Sequence, residues 1–237
     1  MLDYVIDVGN SFVKIAPIEK GEIREILRIP LVDLNELRNK IKEKKIILST
    51  VSNENIRAEI YNHSTVLFEL NNSISLPFNS QYQTPMTWGM DRACNVCGAL
   101  ALQIDTPILI VDIGTCIKFD FVDQNKTYIG GSISPGIHLR TQILHTGTAK
   151  LPLIHPTKSY KLIGKSTQDN LLNGVMTGIQ CEILGMIELY RQQFEKLTVI
   201  LTGGDLNYFD FPDKSNIFAE QNLTIEGLYQ LYKYHSE

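Results

Sequence analysis

The sequence predicts an α/β protein built from two halves, each of which begins with a β-hairpin. Two similar stretches indicate this, "YVIDVGNSFVKIAP" (4–17) and "LIVDIGTCIKFDFV" (109–122). Both read as an apolar run, an Asp, one apolar residue, a Gly, a small polar residue and a second apolar run. Short β-branched runs that alternate with helical periodicity also favour an α/β fold. The chain is therefore predicted to repeat one architectural unit.

The size of the chain fits one large domain or two closely joined halves. Its 237 residues are 43% hydrophobic, and a chain of this length buries about 70–75% of its unfolded surface. We place the boundary at "IDT" (104–106), which gives an N-terminal half of residues 1–105 and a C-terminal half of residues 106–237. Outside the hairpins the halves do not visibly align, so the repeat is architectural.

Local patterns predict the individual elements. Strands are expected at 2–7, 11–18, 23–29, 45–50, 64–69, 107–112, 116–122, 127–134 and 197–202. Helices are expected at 32–43, 53–61, 91–103, 136–146, 167–195 and 223–234. In the longest helix Thr167 is the candidate N-cap, and Gly174, Gly178 and Gly185 recur. That row indicates either the close approach of another backbone or a kinked core helix.

Charge and hydropathy exclude several classes of function. The net charge of −4 and the pI of about 5.8 argue against a nucleic-acid partner, which usually needs a clustered basic face. No run approaches the roughly 18–20 apolar residues of a membrane span, and the N-terminus enters a strand pattern instead of a signal peptide. We therefore expect a cytoplasmic protein without a membrane partner. The four cysteines fit a reducing compartment.

The Cys-x-x-Cys pair in "CNVC" (94–97) lies in an apolar helical stretch. A second Cys-x-x-Cys or a His pair is missing, since Cys116 and Cys181 stand alone. Buried helix thiols are thus the favoured interpretation, and a zinc or redox site is the alternative.

Each Asp-x-Gly turn has the chemistry to bind part of a phosphate chain. Glycine lets a ligand approach the backbone closely, and the amides of such a turn form an anion-binding concavity. Two facing hairpins could hold a phosphate chain, with Asp7 and Asp112 bringing a cation to neutralise it, as phosphoryl transfer requires. For one copy alone, an ordinary hairpin turn is the alternative.

Other phosphate loops are not present. "GKST" (164–167) has Ser159 where a Walker A loop needs Gly, and no Gly-x-Gly-x-x-Gly fingerprint occurs. "LTVILTGGD" (197–205) reads as a strand that runs into a Gly-Gly turn, which alone is a weak signal.

The stretch "YQTPMTWGMDRACNVCGAL" (82–100) carries the specificity. Asp91 and Arg92 are predicted to sit side by side at a helix N-terminus, a location that favours anions. The carboxylate can take a proton from a substrate hydroxyl, and the guanidinium can bind an anionic group. The alternative is a helix-terminal acid with a solvated Arg.

Taken together, the motifs resemble type III pantothenate kinase, within the actin, heat-shock-70 and sugar-kinase superfamily of two ribonuclease-H-like halves. The motifs are "DVGNS" (7–11), "Y…P…GMDR" (82–92), "DIGT" (112–115), "GGSISPGI" (130–137), "LP" (151–152), "IGKST" (163–167) and "TGGD" (202–205). Their order and spacing run through nearly the whole chain. The Gly-x-Asp-Arg element separates this family from the rest of the superfamily.

The resemblance implies a reaction, cofactors and an assembly. The reaction is transfer of the ATP γ-phosphate to the primary hydroxyl of pantothenate, the first step of coenzyme A synthesis. ATP would be the co-substrate, with Mg²⁺ and a monovalent cation, K⁺ or NH₄⁺. The assembly would be a homodimer with the substrate site at the subunit interface.

The resemblance also implies roles for individual residues. Asp91 would accept the proton, Asp7 would lie near the magnesium, and Asp112 would bind the monovalent cation. The pantothenate contacts would be Tyr82, Gly89, Met90, Asp91, Arg92 and, from a neighbouring subunit, Thr167. The ATP contacts would be Asp7, Val8, Gly9, Asn10, Ser11, Phe12, Val13, Lys14 and Thr115.

Two positions depart from the family pattern. In "GTCIKFD" (114–120) Lys118 replaces a hydroxyl residue, and it either alters the cation site or points to solvent. Ser11 replaces the commoner Thr and keeps the hydroxyl. Two rival functions stay open: another kinase or phosphatase of the superfamily, and a non-catalytic nucleotide-binding regulator on the same scaffold. The presence of Asp91 favours the kinase.

Overall fold

The computed structural model describes residues 2–9, 12–50, 54–104, 107–211 and 216–236. Its contacts divide the chain into two compact units. Unit 1 comprises Met1–Gln103 with Asn222–Glu237, and unit 2 comprises Ile104–Gln221. The predicted boundary assigned the C-terminal helix to the second half, whereas its contacts lie in unit 1. Among the described residues, no helix is both long and apolar enough to cross a bilayer.

The elements follow one another in an α/β pattern. The strands are β1 (Tyr4–Val8), β2 (Phe12–Glu19), β3 (Glu22–Ile23), β4 (Leu27–Pro30), β5 (Lys44–Thr50), β6 (Ser64–Glu69), β7 (Asn79–Ser80), β8 (Ile108–Ile113), β9 (Cys116–Val122), β10 (Thr127–Pro135), β11 (Thr198–Thr202) and β12 (Ile217–Ala219). The helices are α1 (Leu34–Ile41), α2 (Glu54–His63), α3 (Met90–Ala101), α4 (Ile137–Thr146), α5 (Thr167–Gln193) and α6 (Leu223–Ser236). Short 3₁₀ helices cover Pro85–Thr87 and Leu206–Tyr208.

Two local predictions are wrong. The single strand expected at 23–29 is divided into β3 and β4, because the two pair antiparallel with β2 at separate places and residues 24–26 belong to neither strand. Thr167 does not cap α5. Ser166 is the N-cap, and its hydroxyl accepts a hydrogen bond from the Asp169 amide at 3.1 Å.

The sheet of unit 1 is mixed and has helices on both faces. Its order is β3-β2-β1-β5-β6, with β4 also pairing with β2. Strand β1 is antiparallel to β2 and parallel to β5. Because neighbouring strand residues point to opposite faces, Val5 packs towards α3 and α6, while Ile6 packs towards α1 and α2. Asp7 therefore lies on the face that α3 and α6 cover.

Helices α3 and α6 approach each other through two glycines. A Cβ on Gly98 would lie 2.6 Å from the Leu223 carbonyl oxygen, and one on Gly227 would overlap the Cys94 carbonyl oxygen. Beside them, the buried Thr224 hydroxyl donates to Asn95 Oδ1 at 2.7 Å. This backbone-to-backbone contact, together with the apolar residues that α6 buries against Val5 and Ile47, places the C-terminal helix in unit 1.

Replacing Gly227 with Ala is expected to lower the free energy of unfolding by about 3 kcal/mol, because the new methyl group has no space against the α3 backbone. Urea denaturation of the purified protein measures this loss. Gly227→Val should destabilise the protein further than Gly227→Ala. Equal stability of wild type and both variants would show that the two helices are not packed this closely.

Unit 2 contains a second mixed sheet packed against the longest helix. Its strands are ordered β12-β11-β8-β9-β10, with β8 antiparallel to β9 and parallel to β11. One face carries Val111, Ile113 and Leu201, which pack against Ile179 and Ile183 of α5. The residues that alternate with these, including Asp112, lie on the opposite face.

The internal repeat extends further than the two hairpins. In each unit an antiparallel hairpin lies beside one parallel strand, as β2-β1-β5 and as β9-β8-β11. The aspartate pairs with a lysine on one side and a hydroxyl residue on the other, giving the rows Lys14–Asp7–Ser49 and Lys118–Asp112–Thr202. The predicted mixed α/β fold with a repeated hairpin is thus confirmed.

Candidate active site

The first Asp-x-Gly turn places a carboxylate at the end of a buried strand. Asp7 is half-buried, and the Gly9 amide donates to the Phe12 carbonyl oxygen at 3.0 Å. The side chains of Val8 and Val13 are buried in the core towards α1 and α2. Any contact of these two valines with ATP would therefore be made by the backbone.

The remaining residues of the first predicted phosphate site differ in position. Asn10 and Ser11 lie outside the described residues. Phe12 is exposed, and Lys14 is half-buried beside Asp7 in the strand register. Ser49, which sequence reasoning missed, is buried on the other side of Asp7. Its position becomes apparent only after β1 is paired with β5.

The start of α3 confirms the predicted neighbourhood of Asp91 and Arg92. Gly89 is the N-cap, Met90 is the first helical residue, and Asp91 is half-buried in the first turn. The Arg92 amide donates to Asp91 Oδ1 at 2.9 Å. A Cβ on Gly89 would lie 2.7 Å from the same oxygen, so glycine gives the carboxylate the space for this position.

Arg92 is not a solvated helix arginine, and that alternative is wrong. Its residue is only 4% exposed, and its guanidinium carbon lies 5.8 Å from the centre of the Tyr82 ring. The Tyr82 ring in turn lies 5.7 Å from the buried ring of Trp88. A guanidinium held over an aromatic ring is oriented for bidentate binding of an anion.

Sequence reasoning missed the supports of this cluster. Trp88 is the one tryptophan of the chain, and it precedes the Gly-x-Asp-Arg element directly, which was an available signal. Asn72 donates through its side-chain amide to the Trp88 carbonyl oxygen at 2.8 Å and to that of Pro85 at 3.1 Å. Nothing local in the sequence indicates this contact from residues 13 and 16 positions away.

The carboxylates of Asp7 and Asp91 both affect the pKa of one buried thiol, that of Cys94. Burial raises the pKa of the Cys94 thiol well above its usual value, and the negative charges of Asp7 and Asp91 raise it further. Both carboxylates, which come from separate parts of the sequence, thus influence the same buried thiol of α3. Burial also raises the pKa of Cys97 to about 12. Both cysteines are thus buried, protonated helix thiols, as interpreted from the sequence.

The raised pKa values predict the reactivity of these thiols. With the folded pKa above the unfolded one, both stay neutral up to about pH 9, and a neutral buried thiol is a poor nucleophile. Titration with Ellman's reagent should modify at most two of the four cysteines in the native protein and all four in guanidinium. Rapid native labelling of Cys94 or Cys97, identified by mass spectrometry, would contradict this placement.

The second Asp-x-Gly turn is held by two other motifs. The Gly136 amide donates to the Thr115 carbonyl oxygen at 3.0 Å, and a Cβ on Gly136 would overlap the carbonyl oxygen of Gly114. Gly203 has a φ of 105°, and a Cβ there would lie 2.6 Å from Asp112 Oδ1. The predicted "DIGT", "GGSISPGI" and "TGGD" motifs therefore meet at one place in unit 2.

Lys118 does not point to solvent. Its Nζ lies 2.7 Å from Oδ2 of Asp112, the predicted cation ligand, and its side chain is mostly buried. Thr115 is exposed in the turn. Thr167 is exposed at the start of α5.

Comparison with known proteins agrees with the motifs over nearly the full length. A family model described as type III pantothenate kinase matches residues 4–189. A protein of Christiangramia forsetii with the name type III pantothenate kinase is 38% identical, over 96% of each chain. One of Flavobacterium psychrophilum with the same name is 37% identical, over 97% of this chain and 98% of the relative.

Solved structures show the same fold at low sequence identity. A Baf-family transcriptional activator from Campylobacter jejuni aligns with a TM-score of 0.63 and 22% identity over 98% of both chains. The ethanolamine utilization protein EutJ from Carboxydothermus hydrogenoformans aligns with a TM-score of 0.53 and 14% identity over 97% of this chain and 89% of the other. The predicted fold class of two ribonuclease-H-like halves is confirmed by the two mixed sheets and these likenesses.

Proposed function

The chain belongs to the type III pantothenate kinase family, and we propose that it transfers the γ-phosphoryl group of ATP to the primary hydroxyl of pantothenate. The product is 4′-phosphopantothenate, and the reaction opens coenzyme A synthesis. The observation that carries the proposal is the start of α3, where Asp91 lies in the first turn and the guanidinium of the buried Arg92 lies over the Tyr82 ring.

Asp91 is the group that accepts the proton of the reacting hydroxyl or orients that hydroxyl for attack. Its Oδ1 accepts the Arg92 amide, which fixes the carboxylate and directs it at the N-terminus of α3. A loose phosphoryl-transfer transition state asks for positioning more than for a strong base. The ordinary basicity of an aspartate is therefore sufficient for this role.

Arg92 is the group that binds the pantothenate carboxylate. Its burial removes competing water, and the Tyr82 ring restricts the plane of the guanidinium. A planar fork of N–H donors matches both oxygens of a carboxylate. Tyr82, Gly89 and Met90 form the surroundings of this site, as the resemblance implies.

The turn after β1 supplies the first phosphate site, with ATP as the co-substrate. The half-buried Asp7 carboxylate and the adjacent Ser49 hydroxyl are hard oxygen ligands, which Mg²⁺ prefers. Asp7 would hold the ion, which when bound supplies positive charge to the phosphates. The amides of Val8 and Gly9, with Lys14, are the proposed contacts of unit 1 to ATP, and the family resemblance implies Thr115 as a further contact.

The test is a kinase assay with the purified chain. Pantothenate, ATP and Mg²⁺ should release ADP and give a product heavier by one phosphoryl group, detected by mass spectrometry. A panel of sugars should give only background ADP release. Phosphorylation of a sugar would favour another kinase of the superfamily, and nucleotide binding without any turnover would favour the regulator.

The proposed location of the reaction is the cytoplasm, where ATP is available. The proposed partners are small molecules, and we expect binding to neither nucleic acid nor a membrane. The net charge of −4 supports this choice of partners. The four cysteines are unpaired, in keeping with a reducing compartment.

A homodimer formed through α4 and α5 is the proposed assembly. Gly174, Gly178, Cys181 and Gly185 share one face of α5, because they are spaced by four, three and four residues. A Cβ on any of the three glycines meets no atom of the described chain within 4 Å. A groove of about 450 Å³ between α4 and α5 continues this face. A second copy there would bring its Thr167 near the interface.

Ile143→Glu is expected to weaken the dimer by 10-fold or more in Kd, because Ile143 lines the groove and is 66% exposed, and burying a charge without a partner costs about 2 kcal/mol or more. Light scattering after gel filtration should give a mass near 26.8 kDa for the variant and twice that for wild type. Val32→Glu, in unit 1, is the matched exposed control. If both variants remain dimers of unchanged stability, the interface does not include the α4–α5 groove.

A further inference from the structure

The positive charge expected at Asp112 is already supplied by the chain. Lys118 Nζ lies 2.7 Å from Asp112 Oδ2, and the two side chains are only 15% and 11% exposed. This is the distance of a charge-assisted hydrogen bond. A free K⁺ or NH₄⁺ would have to displace the ammonium group from that oxygen. The residues at Asp112 therefore do not fit a separate monovalent cation.

We propose that Lys118 takes the place of the monovalent cation, so that this kinase works without K⁺ or NH₄⁺. The inference rests on the proposed function for its activity measurements. A primary ammonium carries the same charge as either ion and resembles NH₄⁺ in size and in its N–H donors. Bound to Asp112, it provides a fixed positive charge beside the Gly114–Thr115 turn.

The sheet register keeps Lys118 at this position. Lys118 and Asp112 are direct cross-strand partners in the antiparallel β8–β9 pair, so their side chains share one face of the sheet. The connection through Gly114 and Thr115 is short, and a short tether gives an effective concentration of the order of mM or more. Because the pair is mostly buried, dissolved salt screens it weakly.

The surroundings of the pair are equally fixed. Gly203 packs against Asp112, leaving no room for a side chain on that side, and Gly136 closes over the turn. Thr202, the neighbour of Asp112 in β11, is buried, and its hydroxyl has no hydrogen-bond partner among the residues that the structure describes. A polar row, Lys118–Asp112–Thr202, thus remains on one sheet face with the lysine as its cation.

The first test compares ions in the kinase assay at equal ionic strength. Wild type should turn over pantothenate at rates within about twofold in K⁺, NH₄⁺, Na⁺ and tetramethylammonium chloride. Lys118→Met should lose about 10- to 100-fold in tetramethylammonium, the effect of losing a charged hydrogen bond, and K⁺ or NH₄⁺ should restore much of the rate. Lys118→Arg, which keeps the charge, should stay independent of the ion.

The second test is independent of catalysis. Without ATP, the melting temperature of Lys118→Met should rise in K⁺ or NH₄⁺ relative to tetramethylammonium, because an ion that binds the folded state stabilises it. Wild type and Lys158→Met, a change at an exposed lysine of the same unit, should show no such difference. This measurement also establishes that Lys118→Met is folded.

The outcomes separate the two proposals. A wild type that is active with pantothenate only in K⁺ or NH₄⁺ would overturn the role of Lys118 and leave the kinase function intact. Lys118→Met without any ion-specific gain in rate or melting temperature would overturn it as well. Absence of pantothenate turnover in every salt would refute the proposed function, while the melting temperatures would still decide the role of Lys118.

Discussion

Replacing Asp91 with Asn is expected to lower kcat by about 10²–10⁴-fold while ATP binding is retained. Asparagine has nearly the same shape, and its side-chain oxygen can still accept the Arg92 amide that Asp91 Oδ1 accepts at 2.9 Å. What the variant loses is the negative charge that accepts the proton of the substrate hydroxyl or orients that hydroxyl. A coupled assay of ADP release measures kcat, and calorimetry measures ATP binding.

Glu36→Gln provides a control for this change. Glu36 is also an acid in the first turn of a helix, and it is exposed in α1. It should leave kcat within about twofold, as expected of a surface substitution away from the site. Turnover of Asp91→Asn at the wild-type rate would remove Asp91 from the reaction.

Replacing Arg92 with Lys is expected to raise the KM for pantothenate by about 10- to 100-fold and to leave the KM for ATP unchanged. Lysine keeps the charge but offers a single point of contact in place of the planar fork held over Tyr82. Steady-state kinetics with each substrate varied in turn separates the two effects. The melting temperature shows whether the buried site tolerates the change.

Tyr82→Phe is the matched variant, because it keeps the ring that lies 5.8 Å from the Arg92 guanidinium carbon. It should change the KM for pantothenate by less than about 10-fold, because a single neutral hydrogen bond contributes only about 0.5–1.5 kcal/mol net. Equal losses for both substrates in Arg92→Lys, accompanied by a lower melting temperature, would assign Arg92 a purely structural role.

The local features of this fold could be predicted from the sequence because their causes are local. The start of α3 follows from Gly89 and from the helical pattern of the residues after it. The two hairpins follow from apolar runs that are interrupted by Asp-x-Gly. The position of Asp91 and Arg92 in the first turn of α3 could thus be predicted before any tertiary contact was known.

Long-range contacts had no such signal. Gly98 and Gly227 are separated by more than half of the chain, and only the packing of α3 on α6 shows why both are glycine. The break between β3 and β4 depends on where each strand pairs with β2. In each case the determinant is the tertiary partner of a segment and not its own pattern.

The second turn shows how far the candidate site could be predicted. The sequence alone shows that Lys118 replaces a hydroxyl residue of the family pattern. It does not show whether the lysine alters the cation site or points to solvent. Only the register of β8 with β9, which places Lys118 opposite Asp112, distinguishes them. The position of the Lys118 ammonium at Asp112 therefore follows from the pairing of the two strands and not from the motif alone.

The most direct measurement of the central claim is the position of pantothenate in a complex with Mg²⁺ and a non-hydrolysable ATP analogue. We expect its primary hydroxyl about 2.6–3.2 Å from a carboxylate oxygen of Asp91 and its carboxylate on the guanidinium of Arg92. A pantothenate whose hydroxyl is directed away from Asp91, or one bound outside the start of α3, would contradict this assignment.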